Sequence, residues 1–192
     1  MIRIRRAGRE DAPAIGRVYV ETWQSAYPGL LPDRMLASMS DIRQAAWWAR
    51  ALADPAEARG IFVADDEAAG VVGFGSCGPV RQPPERVSGR LAGARRIGEV
   101  YTLYVEPDFQ NRGLGRRLLD ALFRQLAADG CRTAVLWMLA GNPTRFFYEG
   151  MGGTTIGRRR EPFAGTNVEE VAYVWHDLTA PLVRRKLAPE QD

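Results

Sequence analysis

The chain contains the run Val105-Glu106-Pro107-Asp108-Phe109-Gln110-Asn111-Arg112-Gly113-Leu114-Gly115, and the pattern on either side of it decides the fold. Before it, the apolar residues between Ile97 and Val105 predict a strand, which Pro107-Asp108 ends. After it, leucines at helical spacing up to Asp129-Gly130 predict an amphipathic helix; they are Leu114, Leu118, Leu122 and Leu126. The run is therefore predicted to turn from a strand into a helix.

The predicted start of this helix has the properties of a phosphate-binding site. The N–H groups of a helix N-terminus carry partial positive charge and have no partner within the helix. Gly113 and Gly115 let a pyrophosphate approach those groups closely, and Arg116 and Arg117 follow them. Other glycine motifs fit less well, since a Walker loop needs Gly-Lys-Ser/Thr and a dinucleotide fingerprint needs a third glycine and a later acidic residue.

The composition is that of a globular protein of moderate size. The chain of 192 residues is 46% hydrophobic and 26% charged, which excludes wholesale disorder. No run of about 18 apolar residues is present, and the N-terminal segment 1–6 alternates charged with apolar residues, unlike a signal peptide. We therefore expect one domain over residues 1–180, a frayed tail over 181–192, no membrane partner and a cytoplasmic location.

The charge suits a polyanionic ligand better than nucleic acid. The net charge is +3, and Lys186 is the only lysine, so no lysine-rich arm exists for binding DNA and we expect no nucleic-acid partner. His176 is the only histidine, which excludes a catalytic triad and a histidine metal cluster, and we expect no metal. Cys77 and Cys131 are predicted to be buried free thiols rather than a disulfide.

The rest of the pattern alternates between helices and strands. Asp11 is predicted to cap the first helix and Asp41 a later one, and the segment from Gly78 to Arg96 is a long connection with five arginines and one glutamate. The remaining predicted elements are a strand at Ile2, a short helix from Arg34, a hairpin over Ile61–Ser76, a buried parallel strand over Ala134–Leu139, a helix over Asn142–Tyr148 and strands over Thr154–Arg160 and Val168–Leu178.

The spacing Gln-x-x-Gly-x-Gly from Gln110 to Gly115 resembles the acyl-CoA-binding signature of the GNAT superfamily of N-acetyltransferases, and the order of the predicted elements is that of the GNAT fold. The resemblance implies a mixed α/β fold. Its central mixed sheet is mostly antiparallel, with splayed parallel middle strands, and is flanked by helices. It also implies acetyl-CoA as the cosubstrate, with the pantetheine arm entering the gap between the splayed strands.

The same resemblance implies which residues hold acetyl-CoA. The backbone of the central strand would pair with the pantetheine amides, and the helix start would bind the pyrophosphate with arginines, including Arg117, as charge partners. The implied binding residues are Leu103, Tyr104, Val105, Gln110, Asn111, Arg112, Gly113, Leu114, Gly115, Arg116 and Asn142. For Asn142, capping of the next helix is an alternative, because Asn before Pro is common at a helix start.

Tyr148 is the candidate for protonating the departing thiolate. It lies in a segment from Asn142 to Gly153 that is similar to the family's Asn-x5-Tyr-x-x-x-Gly, and a phenol with a pKa of about 10 is protonated at neutral pH. The alternative is a tyrosine that packs a helix onto the sheet. Where relatives usually follow the tyrosine with Gly-Phe, the chain has Gly150-Met151-Gly152-Gly153, which leaves the packing of the next strand open.

Glu99 is the candidate general base, at a position where many members of the superfamily place an acid. Strict alternation puts Glu99 on one face with Tyr101, Leu103 and Val105, and puts Val100, Thr102 and Tyr104 on the other, unless a bulge intervenes; the resemblance implies one near Val105. The alternative is a solvated glutamate at the start of a strand.

The acceptor is expected to be a primary amine of a small molecule, acetylated directly. By resemblance, Trp23 and Tyr27 would wall the acceptor pocket, although both could equally be core aromatics. The arginine-rich connection favours an amine that also bears an anion. The alternatives are acetylation of a protein N-terminus or lysine, and an acyl-CoA-binding domain without catalysis. A homodimer is left open.

Overall fold

The computed structural model describes residues 1–81, 96–180 and 182. Most of the arginine-rich connection, including Arg86, Arg90 and Arg95, lies outside the described residues. So does nearly all of the tail that was expected to fray.

The described residues form seven strands and six α-helices, in the order that the sequence predicts apart from one added helical turn. In chain order they are β1 (Ile2–Arg6), α1 (Ala12–Ala26), α2 (Asp33–Ala37), α3 (Asp41–Ala53), α4 (Pro55–Ala58), β2 (Ile61–Asp66), β3 (Gly70–Pro79), β4 (Ile97–Val105), α5 (Leu114–Ala128), β5 (Thr133–Leu139), α6 (Arg145–Gly150), β6 (Thr154–Phe163) and β7 (Thr166–Trp175). None of these helices is both long and apolar enough to cross a bilayer.

The strands form one sheet in the order β1-β2-β3-β4-β5-β7-β6. Neighbouring strands run antiparallel except β4 and β5, which are parallel. These two strands pair only from Ile97–Val100 against Thr133–Leu136 and then separate. The predicted fold class, a mostly antiparallel sheet with splayed parallel middle strands and flanking helices, is therefore confirmed.

Strict alternation does not hold along β4, because the bulge that would break it lies at Tyr101. Ser76 of β3 pairs with Thr102, while Cys77 pairs with Val100, so Tyr101 is an extra residue on β4. A single extra residue reverses the alternation beyond it. Val100, Leu103 and Val105 consequently share the face that packs on α5, and Glu99, Thr102 and Tyr104 share the opposite face. The resemblance implied a bulge near Val105, and the structure has it four residues earlier in the chain.

The sheet has an apolar core on each face. On one face α5 packs through its leucine stripe, in which Leu118, Leu119 and Leu122 are fully buried. On the other face α1 and α3 pack against β2 and β3 through Ile15 and Trp48, among others. Burial of one leucine contributes about 1.5–3 kcal/mol, so these two faces fix the helices on the sheet.

Two local predictions need correction. The carboxylate of Asp11 does not cap α1; it accepts hydrogen bonds from both terminal nitrogens of Arg5 and from the backbone N–H of Gly8. Ser40, not Asp41, caps α3, since its Oγ accepts from the N–H of residue 43. After α3, the side chain of Asp54 accepts a hydrogen bond from the N–H of Ala56 and so caps the extra turn α4.

The two cysteines and the start of β6 are part of the core. Cys77 and Cys131 are buried and free, as predicted. Met151 is buried, and its carbonyl accepts a hydrogen bond from Nε1 of Trp175 at 3.0 Å. The start of β6 is therefore packed despite the glycines around Met151.

Candidate active site

A cavity of about 400 Å³ lies where β4 and β5 separate. Beyond Val100 no strand pairs with the β5-facing edge of β4 in the described part of the chain. The cavity is lined by nine residues that sequence reasoning had placed in the site: Tyr27, Leu103, Tyr104, Val105, Gln110, Asn111, Gly115, Asn142 and Tyr148. Backbone groups on an unpaired strand edge need partners, so this edge can bind an extended ligand as an added strand.

The start of α5 forms one end of this cavity. Gly113 precedes the helix with φ of 76°, a left-handed conformation that favours glycine, and no side chain caps the first N–H groups. A Cβ atom on Gly115 would come within 3.3 Å of the Phe147 ring of α6, so glycine permits this close approach. The exposed N–H groups and the helix dipole favour an anion here.

The arginines around this helix start differ in what they contact. Arg112 donates to the carbonyl of Asp108 at 2.7 Å and lies over the Phe109 ring. Arg117 donates to the carbonyl of Ile2 at 2.9 Å, which ties α5 to β1. Arg116 is exposed, and no hydrogen bond or ion pair holds its side chain among the described residues. Leu114 contributes only its backbone, because its side chain is buried in the core.

Tyr148 is buried at the wall of this cavity. Its ring packs against Phe147, Tyr173 and Trp175, with ring centroids 5.1–6.2 Å apart. Burial raises the pKa of the Tyr148 phenol well above 10, so the hydroxyl group keeps its proton at neutral pH. Tyr148 thus has both the packing position and the protonation state that were considered for it.

Asn142 lies in the turn before α6, whose N-terminal cap position is held by Thr144. Its Oδ1 accepts a hydrogen bond from the N–H of Thr144 at 2.9 Å, the bond of a residue that opens a helical turn. The same residue is buried and lines the cavity.

A second cavity of about 520 Å³ lies on the opposite face of the sheet, beneath α1 and α3. Nine of its described lining residues are aromatic: Tyr19, Trp23, Tyr27, Trp47, Trp48, Tyr101, Tyr104, Trp137 and Phe163. Its charged lining residues are Arg43, Arg81, Arg159 and Glu170. Trp23 and Tyr27 therefore line a cavity while also packing together, with ring centroids 4.9 Å apart.

The two cavities meet at the gap between β4 and β5. They share six lining residues: Tyr27, Tyr101, Thr102, Tyr104, Trp137 and Met138. A ligand in the first cavity and a ligand in the second cavity would therefore both contact these shared residues. The arrangement can bring two reactants together through the sheet.

Glu99 does not line either cavity among the described residues. Its side chain is 3% exposed and accepts three hydrogen bonds from Arg81: from the backbone N–H at 2.8 Å, from Nε at 3.0 Å and from a terminal nitrogen at 2.5 Å. Arg81 also stacks over Tyr101 and lines the second cavity. The carboxylate therefore holds Arg81 in position.

The sequence did not single out Arg159, Glu170 or Trp137, which line the second cavity. They come from β6, β7 and β5, and only the pairing of these strands brings them together. The only local signal is that Glu170 directly precedes the buried run Val171–Trp175 of β7. Among the described residues no group of acidic, histidine and cysteine side chains could hold a metal ion.

Comparison with known proteins agrees with this geometry. The model of the acetyltransferase (GNAT) family matches residues 17–152. Over 181 residues the chain is 30% identical to YuaI of Bacillus subtilis, an uncharacterized N-acetyltransferase, covering 94% of this chain and 96% of YuaI.

Solved structures show the same fold. One is yncA from Salmonella typhimurium with its cofactor acetyl-CoA, with a TM-score of 0.63 and 22% identity over 94% of this chain and 97% of that one. Another is PaiA N-acetyltransferase from Thermoplasma acidophilum in complex with coenzyme A, with a TM-score of 0.62 and 16% identity over 89% of this chain and 98% of that one. The chain belongs to the acetyltransferase (GNAT) family.

Proposed function

We propose that this protein transfers an acetyl group from acetyl-CoA directly to the primary amine of a small molecule. The observation that carries the proposal is the meeting of two cavities at the unpaired edge of β4. One cavity has an anion-binding helix start at its end, as a CoA pyrophosphate requires, and the other has the size of a small-molecule site.

Acetyl-CoA occupies the first cavity in this proposal. The pantetheine arm lies along the backbone of Leu103, Tyr104 and Val105, and the pyrophosphate lies at the start of α5. The N–H groups of residues 112–116 bind the phosphates, with Arg116 as the charge partner. The neighbours solved with CoA and acetyl-CoA support this choice of cosubstrate.

In this proposal the reaction takes place where the two cavities meet. The neutral amine attacks the thioester carbonyl carbon, the C–N bond forms, and the C–S bond breaks as the thiolate departs. Tyr148 gives its proton to the thiolate, which suits a phenol kept protonated by burial. Cys77 and Cys131 line neither cavity in the described part of the chain, and burial raises the pKa of Cys77 to about 12, so we favour direct transfer over an acetyl-cysteine intermediate.

The shape of the second cavity favours a small acceptor over a peptide. Its volume of about 520 Å³ falls within the usual range for small-molecule sites, roughly 300–1,000 Å³, and aromatic rings from helices and strands surround it. A peptide substrate needs an open groove for its backbone instead. Glu99 has a positioning role in this proposal, through Arg81.

A free-thiol release assay tests the proposal. The wild-type protein is incubated with acetyl-CoA and a panel of monoamines, amino acids, polyamines, aminoglycosides and short peptides. We expect thiol release that depends on one class of small amines. Release with peptides alone would favour the protein-acetylating alternative, and acetyl-CoA binding without release on any amine would favour a binding domain.

A further inference from the structure

The second cavity is lined by more positively than negatively charged side chains among the described residues. Three arginines line it, Arg43 from α3, Arg81 from the segment after β3 and Arg159 from β6, and Glu170 of β7 is the one carboxylate among the described lining residues. A primary amine is an ammonium ion at neutral pH and needs both a negative partner and a proton acceptor. Glu170 is the group in this cavity that can serve as both.

Glu170 is held with one oxygen atom bound and the other open. Arg159 contacts Oε2 through Nε at 2.6 Å and through a terminal nitrogen at 2.5 Å. Arg159 is itself fixed, because its guanidinium group lies 4.0 Å from the centre of the Trp137 ring. Oε1 of Glu170 has no hydrogen-bond donor among the described residues, and its side chain is 20% exposed. The carboxylate is thus oriented and still available to a ligand.

Strand pairing puts Glu170 close to the meeting point of the two cavities. Glu170 is paired with Leu139 of β5, directly after Trp137 and Met138, which line both cavities. Paired residues on neighbouring antiparallel strands lie about 5 Å apart at their Cα atoms. Glu99, in contrast, has its carboxylate occupied by Arg81.

We propose that Oε1 of Glu170 binds the ammonium group of the acceptor and takes its proton, directly or through one water molecule. This inference rests on the proposed acetyl transfer. The first proton passes from nitrogen to Glu170 and then to solvent, and the freed lone pair forms the C–N bond. The second nitrogen proton replaces the one that Tyr148 gives to the thiolate as the C–S bond breaks.

The charges around Glu170 also define the class of acceptor. Arg81 and Arg159 are paired with Glu99 and Glu170, whereas Arg43 has no ion pair among the described residues and would repel a second positive charge. The aromatic wall favours an apolar body. The site therefore suits a monoamine with an aromatic or apolar group rather than a polyamine.

Two acceptors of nearly equal shape and different basicity test the role of Glu170. Phenethylamine is an ammonium ion at neutral pH, whereas O-benzylhydroxylamine, its aminooxy isostere, is a far weaker base and is neutral. In Glu170→Gln the amide oxygen can still accept from Arg159, but the proton acceptor is lost. We expect kcat/KM for phenethylamine to fall by about 10²- to 10⁴-fold and that for O-benzylhydroxylamine by less than about 10-fold.

Glu169→Gln is the matched control, because Glu169 is the adjacent residue and pairs with Arg158 outside the cavity. It should leave both rates unchanged, and all three proteins should keep the same melting temperature rise with acetyl-CoA. If the wild type acetylates neither probe, the pair is rebuilt on the primary amine that it does acetylate and the aminooxy isostere of that amine.

An equal fall in kcat/KM for the two probes would assign Glu170 to packing, and an unchanged kcat/KM would show that Glu170 has no part in the reaction. Either result overturns the inference and leaves the proposed acetyl transfer intact. A wild-type protein that binds acetyl-CoA and acetylates no amine would overturn the proposed function and this inference together.

Discussion

Val100 of β4 pairs with Leu136 of β5, and theirs is the last pair between these two strands. The next residue on β4 is the bulged Tyr101, which turns the strand away as the pairing ends. Both cavities meet beyond this pair, so the point where two parallel strands stop pairing is also the point where two ligands can meet. The candidate site is thus a consequence of strand geometry.

Reversing the charge of Arg116 should weaken CoA binding without unfolding the helix start. Arg116 is the third residue of α5 and is exposed, and a glutamate near a helix N-terminus stabilises the helix by about 0.3–1 kcal/mol. We expect Arg116→Glu to raise the Kd for CoA at least about 10-fold, or about 1.4 kcal/mol, in calorimetric titration.

Arg124→Glu is the control on the same helix. Arg124 is exposed and pairs with Asp120 at 2.8 Å, two turns from the cavity, so its reversal should leave CoA affinity unchanged. Gly113 is a poorer position for this test, because its φ of 76° would strain any side chain. Equal Kd values for wild type and Arg116→Glu would remove Arg116 from the phosphate site.

Removal of the Tyr148 hydroxyl group should slow the chemical step. If Tyr148 protonates the thiolate, Tyr148→Phe lowers kcat by about 10- to 10⁴-fold and leaves the Kd for CoA nearly unchanged. Tyr173→Phe is the matched control, since its hydroxyl donates to Glu149 at 2.8 Å and Tyr173 lies outside the cavity lining. The control should lose about 1 kcal/mol of unfolding free energy and keep its kcat. Wild-type turnover by Tyr148→Phe would leave the residue with packing alone.

Glu99→Gln separates a positioning role from a general base. Because Glu99 anchors Arg81 at the wall of the second cavity, the substitution should raise KM for the acceptor by about 10-fold with a small change in kcat. A general base predicts the opposite pattern, a fall in kcat of about 10²- to 10⁴-fold. Steady-state kinetics with varied acceptor concentration distinguishes the two.

Stability at acid pH should depend on Asp65. The hydrogen bond from Arg5 lowers the pKa of Asp65, so the stabilising contribution of this carboxylate is complete above its unfolded pKa of about 4 and is lost as the pH falls through the lower folded value. Asp65→Asn should therefore be less stable than wild type at pH 7, by about 1 kcal/mol, and the difference should shrink below about pH 4.

Urea unfolding at several pH values measures this difference. Glu67→Gln serves as the control, because Glu67 is 83% exposed and its one ion pair among the described residues is with the N-terminal amino group. A difference between wild type and Asp65→Asn that stays constant with pH would contradict the role of the carboxylate charge.

The sequence predicted the elements that local periodicity determines. β4, α5 and the β2–β3 hairpin follow from alternation and helical spacing, and the glycine-led helix start follows from Gly113 and Gly115. The resemblance to the GNAT superfamily added the splay of β4 and β5, which no local pattern contains.

What the sequence missed depends on contacts between distant segments. The bulge at Tyr101 is set by pairing with β3, so alternation within β4 alone cannot reveal it. The carboxylate of Asp11 binds Arg5 of β1 instead of capping α1, because a charged partner outcompetes the helix N-terminus. The second cavity joins residues from α1, α3, β5, β6 and β7, and for this reason Glu170 could not be placed there in advance.

The most direct test of the account is a transfer experiment with isotopically labelled acetyl-CoA, followed by mass spectrometry of both the acceptor and the protein. We predict that the labelled acetyl group forms an amide on the small amine identified in the thiol-release panel. The protein, including Cys77 and Cys131, should stay unlabelled when the amine is withheld. A labelled cysteine formed without amine would contradict direct transfer, and labelled CoA binding with no labelled amide on any amine would contradict the proposed function itself.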